Sequence, residues 1–410
     1  MTTSFQEQAR VVQLALSSGV IDPSEDTAVL LVDWDVLDHR LGLLSAHWPG
    51  VFHAIAIKSQ PHKAVLAHLV KKGFCLEAAS IEEVRLALSV GCAPSRIVFD
   101  SPVKTKAELA WMHQQAPAAL VNANSLEELP RHGFSPSYKL GLRVNPEVHT
   151  GAPELFHVSA SSSKFGVSIR QKEAILDAIV RYPITGLHMH SGSQITRLDA
   201  QLEAIEMLIS LTKTANQRLA AAGESRRIEW LDIGGGLPSS PWGTMVSYAK
   251  SAMDLLRPLL EDVSLYTEFG QWVHTDAGWA LSAVEYVLPR EGDTPDVAYV
   301  HLGADYFMRD AYTQPRPFPM QPLSSDGTLK KAHERAYAIA GPLCFGGDYI
   351  HRNKSLPLME EGDWLCIGQT GANTLGLWSR HCSRMLPKVV GYSSQKNTLE
   401  VLSPRVSVVL

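Results

Sequence analysis

The sequence predicts an α/β protein: a TIM (β/α)8 barrel followed by a C-terminal all-β domain. Two observations carry this. From about residue 50 to 270, short apolar runs alternate with helical patterns. Eight strand–helix units in some 220 residues match the count and length of a closed barrel better than an open doubly wound sheet. After about residue 283 the helical period gives way to short, β-branched runs separated by turn residues. The barrel is expected over residues 28–282 and the β domain over 283–410, with residues 1–27 packed on the latter.

Taken in order, barrel strands are expected at 53–58, 75–79, 96–99, 118–122, 139–144, 184–190, 228–233 and 263–268. Helical stretches lie between them at 62–72, 105–115, 170–181, 199–222 and 244–260. Ser80 with Glu83, and Ser125 with Glu128, have the spacing of capping boxes, where side chain and backbone satisfy each other's free donors at a helix start. In the second domain, 284–287, 297–302, 364–367, 388–390, 399–402 and 406–409 read as strands. Pro315, Pro317, Pro319 and Pro322 exclude a helix near 315–322.

At 410 residues and 45% hydrophobic, the chain can bury two cores. A formal net charge of −5 supplies no basic field for nucleic acid. No apolar run of membrane-spanning length is present, and the first residues carry no signal-peptide pattern. The five cysteines (75, 92, 344, 366 and 382) lack CxxC spacing, so neither a disulfide framework nor a zinc site is suggested. These features point to a cytoplasmic enzyme with a small-molecule substrate, and to no nucleic-acid or membrane partner.

Lys58 closes the apolar run 53–58, just before Ser59-Gln60-Pro61, and so stands at the mouth of whatever that strand encloses. An ammonium beside an apolar strand is costly unless it is paired or has lost its proton. A lysine of lowered pKa is what a Schiff base with an aldehyde cofactor requires. Asp232-Ile-Gly-Gly-Gly236 ends the seventh strand, where glycines let backbone N–H groups approach an anion. Glu268-Phe-Gly-Gln271 ends the eighth strand and offers a carboxylate to a ring N–H. His188-Met-His190-Ser-Gly-Ser-Gln194 ends the sixth, and alternation puts both histidines on one face. No third ligand has metal-site spacing, so no metal is expected. An imidazole stacked on a cofactor ring, with Ser193 on its phosphate, fits better. Gly341-Pro-Leu-Cys344-Phe-Gly-Gly-Asp348 presents a thiol in a tight loop.

On these residues the chain resembles the fold-type III pyridoxal-phosphate decarboxylases, which include diaminopimelate, ornithine and carboxynorspermidine decarboxylases. The likeness runs from about residue 30 to 400, with five motifs in family order. It implies pyridoxal 5'-phosphate as cofactor and Lys58 as its Schiff-base lysine. His190 is then stacked on the pyridine ring and Glu268 paired with its nitrogen. Ser193, Gly235 and Gly236 hold the phosphate, with the segment around Gly270 and Gln271. Cys344 is implied as the acid that reprotonates the carbanion, supplied across the interface of a homodimer with shared active sites. Arg143 and the 163–166 loop match further cofactor-site motifs, and Asn373 replaces the tyrosine of a phosphate motif. Racemases that resemble this scaffold place an arginine at the ring nitrogen, so Glu268 argues for decarboxylation.

The departures from the family concern the substrate. Gln271 replaces an arginine, and Phe345 replaces the acidic residue that reads the substrate's distal amine. An apolar ring cannot compensate an ammonium. Arg309, Arg316, His351, Arg352, Arg380, His381 and Arg384 are instead candidates to bind carboxylates, with Arg309, Arg316 and Phe345 the expected substrate contacts. Decarboxylases resembling this group act on citryl conjugates of serine or diaminopropionate in carboxylate-siderophore biosynthesis, and that is the expected substrate class. The alternatives are a diaminopimelate, ornithine or lysine decarboxylase, or a catalytically silent regulatory homologue.

Overall fold

The structure, a computed structural model, describes residues 3–408 except 242, 314, 315 and 332. The chain divides into two compact units, one of residues 42–272 and one of residues 1–41 with 273–410.

In the first unit eight parallel strands form a barrel: Val51–Ala56, Cys75–Ala78, Ile97–Phe99, Leu120–Ala123, Lys139–Asn145, Ile184–His188, Trp230–Asp232 and Ser264–Thr267. Each pairs with the next, and the eighth pairs with the first, closing the barrel. Each lies where the apolar alternation puts it. Parallel neighbours need long crossovers, and helices Lys63–Lys71, Ile81–Ser89, Lys106–Gln115, Lys172–Arg181, Leu198–Ala221 and Gly243–Leu256 supply most of them. Ala54, Cys75, Val98, Leu120, Trp230 and Tyr266, one from each of six strands, form a buried cluster. The fifth and sixth strands carry Gly141 and Gly186 beside it, where an added Cβ would overlap the Trp230 ring. A single indole thus fills the volume of two missing side chains.

Of three local expectations, two change and the Ser80 cap holds. The first strand stops at Ala56, and Lys58 sits in the 3-10 turn Ile57–Ser59. Ser80 caps the helix Ile81–Ser89 by accepting from the Glu83 N–H at 3.2 Å. Ser125 starts no α-helix: Glu128 turns back to accept from the Asn124 N–H and pairs with Lys104 at 2.8 Å and His132 at 3.0 Å. The buried Lys104 competes successfully for that carboxylate, because a buried ammonium needs a partner more than a helix start does.

The second unit is built on a nine-stranded mixed sheet. Strand Ala28–Asp33 lies inside it, antiparallel to Gly278–Leu288 and parallel to Lys388–Ser393. The segment from residue 28 to 41, and that from 273 to 282, therefore belong with this unit rather than with the barrel. Helix Phe5–Ser17 buries Val11, Val12 and Ala15 against Val29, Leu31, Trp279 and Leu281 of this sheet. Strands Met320–Leu323, Glu334–Ala340 and Tyr349–Pro357 were not expected from the sequence. Of 406–409, Val406 makes a single bridge to Leu386, and residue 409 lies outside the described residues. Among the described residues no helix is long and apolar enough to cross a membrane.

Candidate functional site

The C-terminal ends of the barrel strands deliver charged side chains to one place. Lys58 Nζ lies 2.5 Å from Glu77 Oε2, at the end of the second strand. Asp100, just beyond the third, accepts from Arg143 Nη1 at 2.6 Å and faces His188 Nε2 at 3.2 Å. His188 Nδ1 lies 3.6 Å from Asp232 Oδ2 and 4.0 Å from Glu268 Oε1, and His190 Nδ1 lies 3.8 Å from Glu268 Oε2. These contacts bring together Lys58, Arg143, His190 and Glu268 of the sequence-derived set. They add Glu77, Asp100 and Asp232, which motif reading passed over. Glu77 had a usable signal, a carboxylate inside the apolar run 75–78, and Asp232 opens a motif already singled out.

The electrostatics of Lys58 reverse the expectation. Partial loss of solvent opposes its charge although the side chain stays half exposed, but Glu77 first, then Glu268 and Asp100, outweigh it and hold the ammonium above its ordinary pKa. Its own strand is apolar; the acids come from other strands. Burial raises the Glu77 carboxyl, against the pull of Lys58. Glu268 is pushed well above the carboxylate range by burial and by the Asp232 charge, with His188 opposing. For Asp100, Arg143 and His188 overcome burial and hold the carboxyl down. His190 is pushed down by burial and by the Arg143 and Lys58 charges. Its Nδ1 accepts the Gly235 N–H at 3.1 Å, which leaves the ring proton to Nε2.

His188, Asp232 and Glu268 place their ligand-type atoms within 4.8 Å of one another. Linear spacing did not display this trio. Both imidazole nitrogens lie within 4.0 Å of carboxylate oxygens without meeting hydrogen-bond geometry, so the contacts are charge proximities.

The residues fit a phosphorylated pyridine aldehyde. Glu268 Oε1 and Asp232 Oδ2 are buried without a hydrogen-bond partner among the described residues. The loops after the sixth, seventh and eighth strands meet backbone to backbone. A Cβ at Gly235 would overlap the Glu268 carbonyl, and one at Gly236 (φ +100°) the Gly192 carbonyl. Ser193 lies in the first of these loops, its N–H bound to the Phe156 carbonyl. Gly270 and Gln271 begin the short helix Gly270–His274, and Gly270 packs against Ser59. Arg143 is spent on Asp100 and stacks over Phe165 with its guanidinium carbon 4.5 Å from the ring centre.

The remaining candidates lie in the second unit. Cys344 is exposed, in a loop shaped by the buried Asp348, whose carboxylate accepts from the Leu343 and Ala304 N–H groups at 2.6 and 2.5 Å. Phe345 stacks on Tyr312, ring centres 5.0 Å apart. Asn373 has a left-handed backbone, φ 57°. The basic residues are mostly engaged: Arg316 with Asp310 at 2.6 Å, Arg384 with Asp305 at 3.3 Å, Arg380 with the Val408 carbonyl, and Arg352 over the Tyr349 ring. Four of the seven candidates for carboxylate binding thus have partners within the protein. Arg309 is pushed down to about 10, by burial first and then by the Arg316 charge, against the pull of Asp310.

Comparison with known proteins agrees with this geometry. Residues 38–273 match the family described as pyridoxal-dependent decarboxylase, pyridoxal binding domain. The chain is 28% identical over 339 residues to diaminopimelate decarboxylase of Pseudomonas aeruginosa, covering 80% of this chain and 78% of the relative. It is 24% identical to the Vibrio cholerae enzyme of that name, over 93% of this chain and 89% of the relative. Its fold is shared with diaminopimelate decarboxylase from Helicobacter pylori complexed with L-lysine, at TM-score 0.82, 21% identity, and 93% and 95% coverage. It is shared also with lysine/ornithine decarboxylase from Vibrio vulnificus complexed with putrescine, at TM-score 0.78, 21% identity, and 94% and 98% coverage.

Proposed function

The chain belongs to the pyridoxal-dependent decarboxylase family and is an amino-acid decarboxylase that uses pyridoxal phosphate; from that premise we propose its residue roles and its substrate class. When bound, the cofactor supplies an electron sink for the bonding pair left behind as CO₂ departs. Lys58 offers the amine that takes the aldehyde. Glu268 would partner the ring nitrogen and favour its protonated form, and His190, 3.8 Å from Glu268, would be the residue to stack on the ring. The Ser193 hydroxyl, Gly236 and the segment around Gly270 and Gln271 hold the phosphate, with Asn373; the Ser193 and Gly270 N–H groups are themselves taken by the Phe156 and Glu268 carbonyls. Gly235, whose N–H is taken by His190, contributes the close approach its missing side chain allows. Cys344, from the neighbouring copy in a homodimer, returns a proton to the α-carbon.

The substrate is an α-amino acid whose far end bears carboxylate rather than ammonium, of the citryl–amino acid type found in siderophore biosynthesis. One observation carries this: where the family places an acid for a distal amine, Phe345 lies stacked on Tyr312. Arg309 is half-buried and feels the Arg316 charge, both of which oppose its own charge, and an anionic substrate group nearby would favour the charged form. The names of the relatives favour diaminopimelate as the competing reading. CO₂ release from citryl conjugates of serine and diaminopropionate, against diaminopimelate, lysine and ornithine, decides between them. A charged hydrogen bond contributes roughly 1.5–3 kcal/mol, so a preference of about tenfold to a hundredfold for the conjugates is expected. Efficient turnover of diaminopimelate with none of the conjugates overturns the substrate class and leaves the decarboxylase intact.

A further inference from the structure

The barrel interior holds a chain of charges of which the roles above use only Glu268. Arg143 binds Asp100 at 2.6 Å, Asp100 faces His188 at 3.2 Å, and His188 faces Asp232 at 3.6 Å and Glu268 at 4.0 Å. His188 is fully buried, as is Asp232, and Glu268 nearly so. Asp232 is fixed by the Gly234 N–H, which donates to its Oδ1 at 2.8 Å.

Among the described residues, four carboxylates (Glu77, Asp100, Asp232 and Glu268) meet here with three cationic groups: Lys58, Arg143 and His188. Lys104, which also acts on Asp100, is itself paired with Glu128 at 2.8 Å. His190, with Nδ1 bound to the Gly235 N–H, adds no charge. One negative charge is left over, which a protonated ring nitrogen against Glu268 would neutralise. Were His188 neutral as well, the excess would be two. Buried carboxylates in such surplus take up protons, and Glu268 already stands under pressure from Asp232. A protonated Glu268 has no charge with which to favour a protonated pyridine.

We propose that His188 is a positioning residue of the decarboxylase site: lying among Asp100, Asp232 and Glu268, within 4.0 Å of each, it supplies the positive charge that keeps Glu268 ionised and thereby sets the protonation of the cofactor's ring nitrogen. Arg143, through Asp100, anchors the far side of the same imidazole. The inference rests on the reading of Glu268 as partner of that nitrogen, and the test separates the two.

Holoenzyme reconstituted with pyridoxal phosphate labelled with nitrogen-15 in the ring reports protonation directly by NMR shift across pH. An opposite charge at this distance moves a buried group by roughly 1–3 pKa units. His188→Asn should therefore lower the ring-nitrogen pKa by about that much, Glu268→Gln should lower it at least as far, and His188→Lys should restore part of it. If Glu268→Gln deprotonates the ring while His188→Asn leaves it as in wild type, the role of His188 is overturned and that of Glu268 stands. If neither variant changes the ring nitrogen, both readings fall. Wild-type apoprotein provides a check independent of folding in the variants: imidazole nitrogen-15 shifts should show His188 doubly protonated at neutral pH. A neutral imidazole there overturns the proposal.

Discussion

Replacing Glu77 by glutamine keeps the shape of the side chain beside Lys58 and removes its charge. The 2.5 Å contact between Lys58 Nζ and Glu77 Oε2 is the largest of the influences that hold the ammonium in its charged form; Glu268 and Asp100 follow. A charge-assisted hydrogen bond contributes roughly 1.5–3 kcal/mol, which at about 1.4 kcal/mol per unit corresponds to roughly one to two pKa units. The Lys58 side chain is 52% exposed, so water screens the pair and the lower figure applies. The sign is downward, since the lost negative charge favoured the protonated amine. Only the neutral amine attacks an aldehyde, so Glu77→Gln apoprotein should take up pyridoxal phosphate roughly tenfold faster at a pH on the rising limb of its rate profile. Stopped-flow absorbance after mixing apoprotein with cofactor, repeated across pH, gives that profile. Its midpoint should fall by about one unit in Glu77→Gln, and by less in Glu268→Gln, whose carboxylate is the weaker influence. A Glu77→Gln profile that superimposes on the wild type, or moves to higher pH, refutes the account of Lys58 as an ammonium held by the barrel carboxylates.

Three further outcomes are expected. Gly235→Ala puts a methyl group into the Glu268 carbonyl, and overpacking of that kind costs about 1–3 kcal/mol. Cofactor affinity should fall roughly tenfold to a hundredfold in a fluorescence titration; an unchanged affinity removes this loop from the cofactor site. His53 is buried, its Nδ1 2.7 Å from Thr267 Oγ1, and burial lowers its pKa to about 4. The unfolded chain therefore binds a proton between the ordinary value of 6.5 and about 4 that the fold refuses, and stability that is full above 6.5 is lost as pH falls through this window. About 3 kcal/mol is at stake, and denaturant titrations of wild type and His53→Gln should converge toward the acid end; parallel pH dependences would contradict this. Inactive Lys58→Ala and Cys344→Ala proteins, mixed under conditions of proven subunit exchange, should regain part of the activity if the thiol comes from the neighbouring copy. No recovery removes the shared site.

The sequence by itself determined the barrel and the residues at its strand ends. Eight apolar runs at regular spacing, each bounded by turn residues, leave a closed parallel sheet as the economical solution, and all eight strands formed where the alternation lay. Lys58, His190 and Glu268 were legible for the same reason: a polar residue just beyond the end of an apolar strand stands at the barrel mouth whatever its distant neighbours are. What only the tertiary structure decided is who stands next to whom. Lys58 reads as a lysine in apolar surroundings because its chain neighbours are apolar. Barrel closure sets Glu77, Asp100 and Glu268 around it and turns the direction of its pKa. Glu128 reads as a helix cap until the fold offers it the buried Lys104. The segment 28–33 falls to the barrel domain by its place in the chain until Gly278–Leu288 and Lys388–Ser393, both remote in sequence, take the two edges of strand Ala28–Asp33. Strand identity follows from a local period of two residues. Charge balance and sheet membership follow from contacts among residues tens to hundreds of positions apart, and no local period encodes those.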